Sequence, residues 1–317
     1  MKLLSSLLVR VLTHNIRFAT TSPGTGEQPW AVRAPYLLSE LRYHATLPAS
    51  IICLQEVLHN QLTDVLSGLN GNSSVNATFP SGNNPSQAQL PLPFPNNDDN
   101  ATSAPEWAHI GVGRDDGATA GEYSPILYRP AEWRLLTGTT YWLSPTPSTP
   151  SRGWDAVSPR VWTVAELQHH STGVHFLVVN THMDDQGAVS RREGAAVIAH
   201  FLRNYRNAHP ETPFVLAGDF NSDPRDEAYR YLAAMPELLR DAFDVVPPPR
   251  RYGDYYTFTG FKGKENDLKR IDFAWVGLGG GNGSDVGRVE NYAVLPNRFE
   301  NHVYSSDHRA VVADLVL

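Results

Sequence analysis

The sequence predicts a mixed α/β protein folded as one large domain, and three observations carry that prediction. Short apolar runs at 8–13, 51–54 and 214–217 read as strands buried on both faces. Helically spaced stretches alternate with them at 31–45, 58–69 and 188–207. Hydrophobic residues make up 41% of 317 residues, enough for a sizeable core in a single unit spanning 1–317.

In order along the chain, the first strand ends in His14-Asn15 and the second in Gln55-Glu56. Residues 70–105 are rich in Asn, Ser, Pro and Gly, and read as a polar loop insertion within the domain. Strands at 107–112, 124–128 and 133–143 are expected to form an antiparallel meander. The strand at 160–168 is followed by a hairpin at Gly173 into 174–181, which ends in Asn180-Thr181-His182. The helix at 188–207 presents Ala195, Ile198, Ala199 and Leu202 on one side. It leads to the strand ending in Gly218-Asp219-Phe220-Asn221, and 226–239 reads as another helix. A loop at 252–263 holds a short strand. A strand is expected at 269–276, a glycine-rich hairpin connection at 279–287, and a last strand at 310–317.

Composition narrows the function. The 33 acidic and 26 basic residues leave a net charge of −7. That disfavours a nonspecific nucleic-acid or anionic-membrane binder, and no Lys/Arg cluster surrounds the polar strand ends. Cys53 is the one cysteine and sits in an apolar run, so it is expected to be a buried structural thiol. No segment is long and apolar enough to span a membrane. Residues 1–8 resemble part of a signal peptide, but the first strand follows too closely for a complete one. Sequons at Asn72, Asn76, Asn100 and Asn282, three of them in the polar insert, point to secretion and glycosylation. Nothing calls for a protein partner, so a monomer is expected.

The recurring feature is a polar side chain at the end of an apolar strand: Asn15, Glu56, Asn180/His182, Asp219/Asn221, Asp272 and Asp307/His308. Any one of them serves equally well as a turn or cap. Together they place several carboxylates beside the core, which is costly unless a cation neutralises them. Oxygen donors favour Mg²⁺, with Mn²⁺ or Ca²⁺ as alternatives, over zinc.

Asn15, Gln55-Glu56, Asn180-Thr181-His182, Gly218-Asp219-Phe220-Asn221, Arg270-Ile271-Asp272-Phe273 and Ser306-Asp307-His308 occur in the order of the endonuclease/exonuclease/phosphatase superfamily. The chain resembles that superfamily from residue 8 to 317. The resemblance implies a four-layer α/β/β/α sandwich: two packed, mostly antiparallel sheets with helices outside. It implies Glu56 as the principal Mg²⁺ ligand, with Asn15 beside it and Asp307 close enough to share the ion. By the same resemblance Asp219 would orient or deprotonate the attacking water, with Asn221 fixing that water and a phosphate oxygen. His308 is similar to the histidine that contacts the phosphoryl group, and Asp272 to the carboxylate that orients it. His182 resembles the second histidine, which binds phosphate or aids the leaving oxygen. Glu122 and Arg160 flank strands that could reach the site or serve structure alone, and Asp184 and Arg191 are candidates for a layer behind His182, with a helix cap as the alternative for Asp184. The expected activity is metal-dependent hydrolysis of a phosphate ester, first as a phosphodiesterase or nuclease-like enzyme. The alternatives are a phosphomonoesterase of the inositol- or sugar-phosphate type and a binding protein that kept the fold.

Overall fold

The computed structural model describes residues 6–71, 105–262, 268–279 and 287–317. Most of the polar insert, the four sequons and most of the glycine-rich 279–287 stretch lie outside the described residues. In chain order the elements are β1 (Leu8–Asn15), α1 (Trp30–His44), β2 (Ile51–Gln55), α2 (His59–Leu69), β3 (Ala108–Ile110), β4 (Ile126–Tyr128), β5 (Trp133–Trp142), β6 (Val161–His169), β7 (His175–His182), α3 (Ala188–Ala208), β8 (Phe214–Asp219), α4 (Glu227–Ala233), β9 (Arg240–Asp241), α5 (Ala242–Val245), β10 (Arg251–Gly253), β11 (Asp272–Gly277), β12 (Arg288–Val294) and β13 (Val311–Val316).

The strands form two sheets, ordered β10-β12-β13-β1-β2-β4-β3 and β5-β6-β7-β8-β11-β9. Neighbours are antiparallel except β1/β2, β7/β8 and β10/β12. Three apolar clusters fill the three gaps between four layers. Between the sheets, Val9, Val11, Ile51 and Cys53 meet Phe176, Val178, Val215 and Ala217. Outside the first sheet, Leu12, Ile52 and Leu54 pack with Leu37 and Leu41 of α1 and Leu62 and Val65 of α2. Outside the second, Leu177, Phe214 and Leu216 pack with Ala195, Ile198 and Leu202 of α3. Alternate residues of each strand therefore face the inter-sheet core. Cys53 is fully buried there, and burial pushes its thiol above the reactive range.

Period-two alternation also places the polar strand ends. Asn15 continues the inward series Val9-Val11-Thr13, and Asp219 continues Val215-Ala217. His182 continues Phe176-Val178-Asn180, and Asp272 shares the inward parity of Ala274 and Val276. The core face thus runs without a break into a polar end.

Three expectations need correction. The meander is divided: β3 and β4 belong to the first sheet, while β5, β6 and β7 open the second. The helix expected over 226–239 stops at Ala233, because Pro236 cannot donate and biases the residue before it away from helix. Its remainder becomes turns leading to β9. The strand β12 falls where the sequence suggested none; Val289, Tyr292 and Val294 are buried, but its register shifts between Val289 and Asn291 and blurs the alternation.

Candidate active site

The two parallel strand pairs set the site. Asn15 lies opposite Gln55, and His182 lies opposite Asp219. Gly218 makes the second pair possible. Its φ is +142°, and a Cβ there would sit 2.0 Å from the Thr181 carbonyl oxygen. The lack of a side chain at Gly218 thus serves the close approach of the neighbouring strand.

Beneath the charged groups lies a neutral polar layer. Asn180 Nδ2 donates to the carbonyls of Leu54 and Pro125, both at 2.8 Å, and its Oδ1 accepts from Gln55 Nε2 at 2.7 Å. Asn180 thus clamps one sheet to the other rather than lining the site.

Above it, Asn15 Nδ2 donates to Glu56 Oε1 and to Asp219 Oδ2, each at 2.9 Å. Its Oδ1 accepts the Arg17 backbone N–H at 3.0 Å. Asn15 therefore sits beside Glu56 and bridges two carboxylates through its amide nitrogen. Glu56, at φ 57°, and Asn221, at φ 46°, both occupy left-handed backbone, as does Arg17 at φ 58°. Such a conformation is costly for a glutamate and clusters at functional sites.

Asp219 and Asp272 stand opposite each other across the β8/β11 ladder. His308 lies between them: Nδ1 is 2.9 Å from Asp272 Oδ2, and Nε2 is 3.7 Å from Asp219 Oδ2. Burial opposes a charge on His308, but Asp272 and Asp219 outweigh it and hold its pKa well above the usual value. Burial, then the charge of Asp272, pushes Asp219 up to about 7. The edge of the Phe258 ring packs on His308, and the Asn221 N–H donates to Asp219 Oδ1 at 2.8 Å.

His182 behaves in the opposite way. Burial, then the Arg160 guanidinium, depresses its pKa well below the usual value. Arg160 Nη1 lies 3.1 Å from each ring nitrogen, too close for both groups to be cationic at low cost. Asn221 Nδ2 meets His182 Nε2 at 3.2 Å, and Asp219 Oδ2 is 3.6 Å from that same nitrogen. Glu122 Oε2 is 3.6 Å from the other nitrogen and accepts from Arg114 at 2.7 Å. Asp184 holds Arg160 at 3.3 Å and takes backbone N–H groups from Val157, Ser158, Gln186 and Gly187. The group directly behind His182 is therefore Arg160, with Asp184 one step further out. The Arg191 side chain contacts the Asp184 carbonyl and Glu227, and it does not line the cavity.

These groups surround an open cavity of about 520 Å³. Glu56, His182, Asp219, Asn221, Asp307 and His308 line it, while Asn15 and Asp272 stand behind them. Its walls also carry Arg17, Arg114, Arg160 and Lys269. The absence of a basic cluster in the sequence is thus reversed by folding. Arg17 follows the Asn15 strand end by two residues, and Arg114 sits in a Gly/Asp turn. Both positions were readable, but their convergence was not.

A hard cation fits the Glu56/Asp307 side. Asp307 is raised by burial, and the charge of Glu56 adds to that effect. Two mutually repelling carboxylates with oxygen donors suit a divalent ion. Asp219, Asp272 and His308 also have donor atoms within 4.8 Å of one another. His308 Nδ1 is already engaged by Asp272 and Nε2 faces Asp219 at 3.7 Å, so this second trio is better described as a charge-paired cluster built on one hydrogen bond.

Residues 12–308 match the endonuclease/exonuclease/phosphatase family. The chain belongs to that family. Its enzymes hydrolyse phosphate esters and typically use a divalent metal. An endonuclease/exonuclease/phosphatase from Bacteroides vulgatus is 31% identical, with a TM-score of 0.75 and 98% of each chain covered. A mannosyl-6-phosphatase from Bacteroides thetaiotaomicron is 27% identical, with a TM-score of 0.76 over 98% of this chain and 100% of that one. Rat Nocturnin is 25% identical over 153 residues, which is 47% of this chain and 35% of that protein. The match thus spans about a third of the curated relative's length.

Proposed function

We propose that this protein is a Mg²⁺-dependent phosphomonoesterase acting on small polar alcohols such as sugars. The observation that carries the reading is the ring of Arg17, Arg114, Arg160 and Lys269 around one catalytic cavity. A monoester dianion gains more from such a ring than a singly charged diester does. The full-length likeness to a protein described as a mannosyl-6-phosphatase supports the same branch.

Glu56 and Asp307 would hold Mg²⁺, which when bound neutralises charge on the phosphoryl oxygens. Asp219 takes a proton from a water positioned by Asn221. The water oxygen bonds to phosphorus as the ester P–O bond to the alcohol breaks; the alcohol oxygen leaves and takes a proton from solvent in the open cavity, and Asp219 returns its own proton to solvent. With a pKa near neutrality, Asp219 is suited to act as this base at ordinary pH. Positively charged His308, fixed by Asp272, stabilises the phosphoryl oxygens. Neutral His182, fixed by Arg160, faces the same cavity beside Asn221.

The test is a paired panel of an aryl phosphomonoester, the matching diester, a hexose phosphate and single-stranded DNA. Each is run with Mg²⁺, with chelator, and with Asp219→Ala protein. Mg²⁺- and Asp219-dependent turnover of the monoesters is expected. Turnover of only the diester or DNA would overturn the monoester reading in favour of a diesterase.

A further inference from the structure

A second cavity of about 510 Å³ adjoins the catalytic one. The two share Arg17, Phe258, Lys269 and Asp307 as lining residues, so they are two lobes of one cleft. Ligand sites run from about 300 to 1,000 Å³. The catalytic lobe alone is large enough for a small phosphate ester, and the second lobe is room beyond that need.

The walls of the second lobe come from the 24–27 loop and the 258–262 segment, and both are braced. Gly26, at φ +86°, packs so closely that a Cβ would lie 2.6 Å from the Phe261 carbonyl oxygen. The Thr259 N–H and Oγ1 both donate to the Asp307 carbonyl, at 2.7 and 2.9 Å. Buried Arg33 donates to the Ile16 and Ser305 carbonyls, both at 2.8 Å, behind these loops. The lobe's charge is also specific. Glu27 is committed to Arg17 at 3.2 Å and to the Gly24 N–H at 2.9 Å. Lys262 and Lys269 are exposed and form no ion pair with any described residue. Two ammonium groups with no ion-pair partner among the described residues, beside a braced wall, favour an anion over a neutral alcohol.

Resting on the monoesterase reading, we propose that the second lobe binds a further anionic group on the alcohol half of the substrate. The preferred substrate is then a sugar bisphosphate or a similarly doubly anionic ester, and Lys262 is a specificity-determining residue.

The test compares phosphate release from glucose 6-phosphate and glucose 1,6-bisphosphate by the full chain with Mg²⁺. The expected kcat/KM is about tenfold higher for the bisphosphate, the range of one charged hydrogen bond. One equivalent of phosphate should be released quickly and the second slowly. Lys262→Ala should abolish the preference through KM for the bisphosphate while leaving glucose 6-phosphate turnover unchanged, and Lys262→Glu should invert it. Equal kcat/KM for the two substrates, or an equal loss on both in Lys262→Ala, would overturn the proposal while leaving the monoesterase reading intact. Turnover of neither hexose phosphate by protein active on an aryl diester would overturn both.

Discussion

The two sheets contribute unlike halves to one site. The β1/β2 end of the first sheet supplies Asn15 and Glu56, and the segment before β13 supplies Asp307: two carboxylates that repel each other and an amide that bonds one of them. The β7/β8/β11 end of the second sheet supplies His182, Asp219, Asn221 and Asp272, in which carboxylates alternate with imidazole and amide groups. On the proposed mechanism the first half would hold a cation and the second would move a proton. His308 crosses the seam, leaving the first sheet's last strand to hydrogen-bond Asp272 in the second. The chemistry therefore belongs to the packing of the sheets, and neither sheet contains it alone.

The largest expected effect breaks the second half. Asp219→Ala should lower kcat by at least about 10²- to 10⁴-fold. Its urea midpoint without metal should not fall, because a carboxyl raised to about 7 by burial is unfavourable when ionised. Glu56→Gln breaks the first half instead. Activity should fall at fixed Mg²⁺ and recover in part at high Mg²⁺, with weakened ion binding seen by calorimetry. Asp219→Ala should show no such recovery, so the pair of variants separates the two halves.

Asp272→Asn tests the crossing. The His308 pKa is raised in the fold, so its contribution to stability is complete below about pH 6.5, the unfolded value. It is lost as pH rises through the higher folded pKa. In metal-free Asp272→Asn protein this pH-dependent stability should shrink, and the alkaline limb of the rate profile should move to lower pH. An unchanged limb would exclude His308 as its origin. The smallest effect lies in the neutral layer. Asn180→Ala should cost roughly 2–3 kcal/mol in urea unfolding, because it strands buried partners on the first sheet. The metal dependence of activity should not change.

What the sequence disclosed follows the same division. Strands such as β1, β2, β7 and β8 are continuous apolar runs, so their ends and the residues on them could be read directly. The pairing of His308 with Asp272 joins positions 36 apart in sequence, and nothing local encodes it. The layered sandwich came from the order of motifs rather than from periodicity, which had placed β3, β4 and β5 in one meander. The helix over 226–239 failed at a proline that could have been weighed. The cationic wall was invisible because Arg17, Arg114, Arg160 and Lys269 come from four separate segments and meet only in the fold.

The left-handed backbone at Glu56 has a consequence for anyone improving this protein. A glutamate held there carries a conformational cost of about 1–3 kcal/mol that a glycine would not. A heat-challenge screen blind to turnover would therefore reward Glu56→Gly, enriching survivors that lack the carboxylate proposed to hold the metal. Selection for robustness and selection for chemistry pull in opposite directions at this one peptide unit, so a library should hold residue 56 fixed.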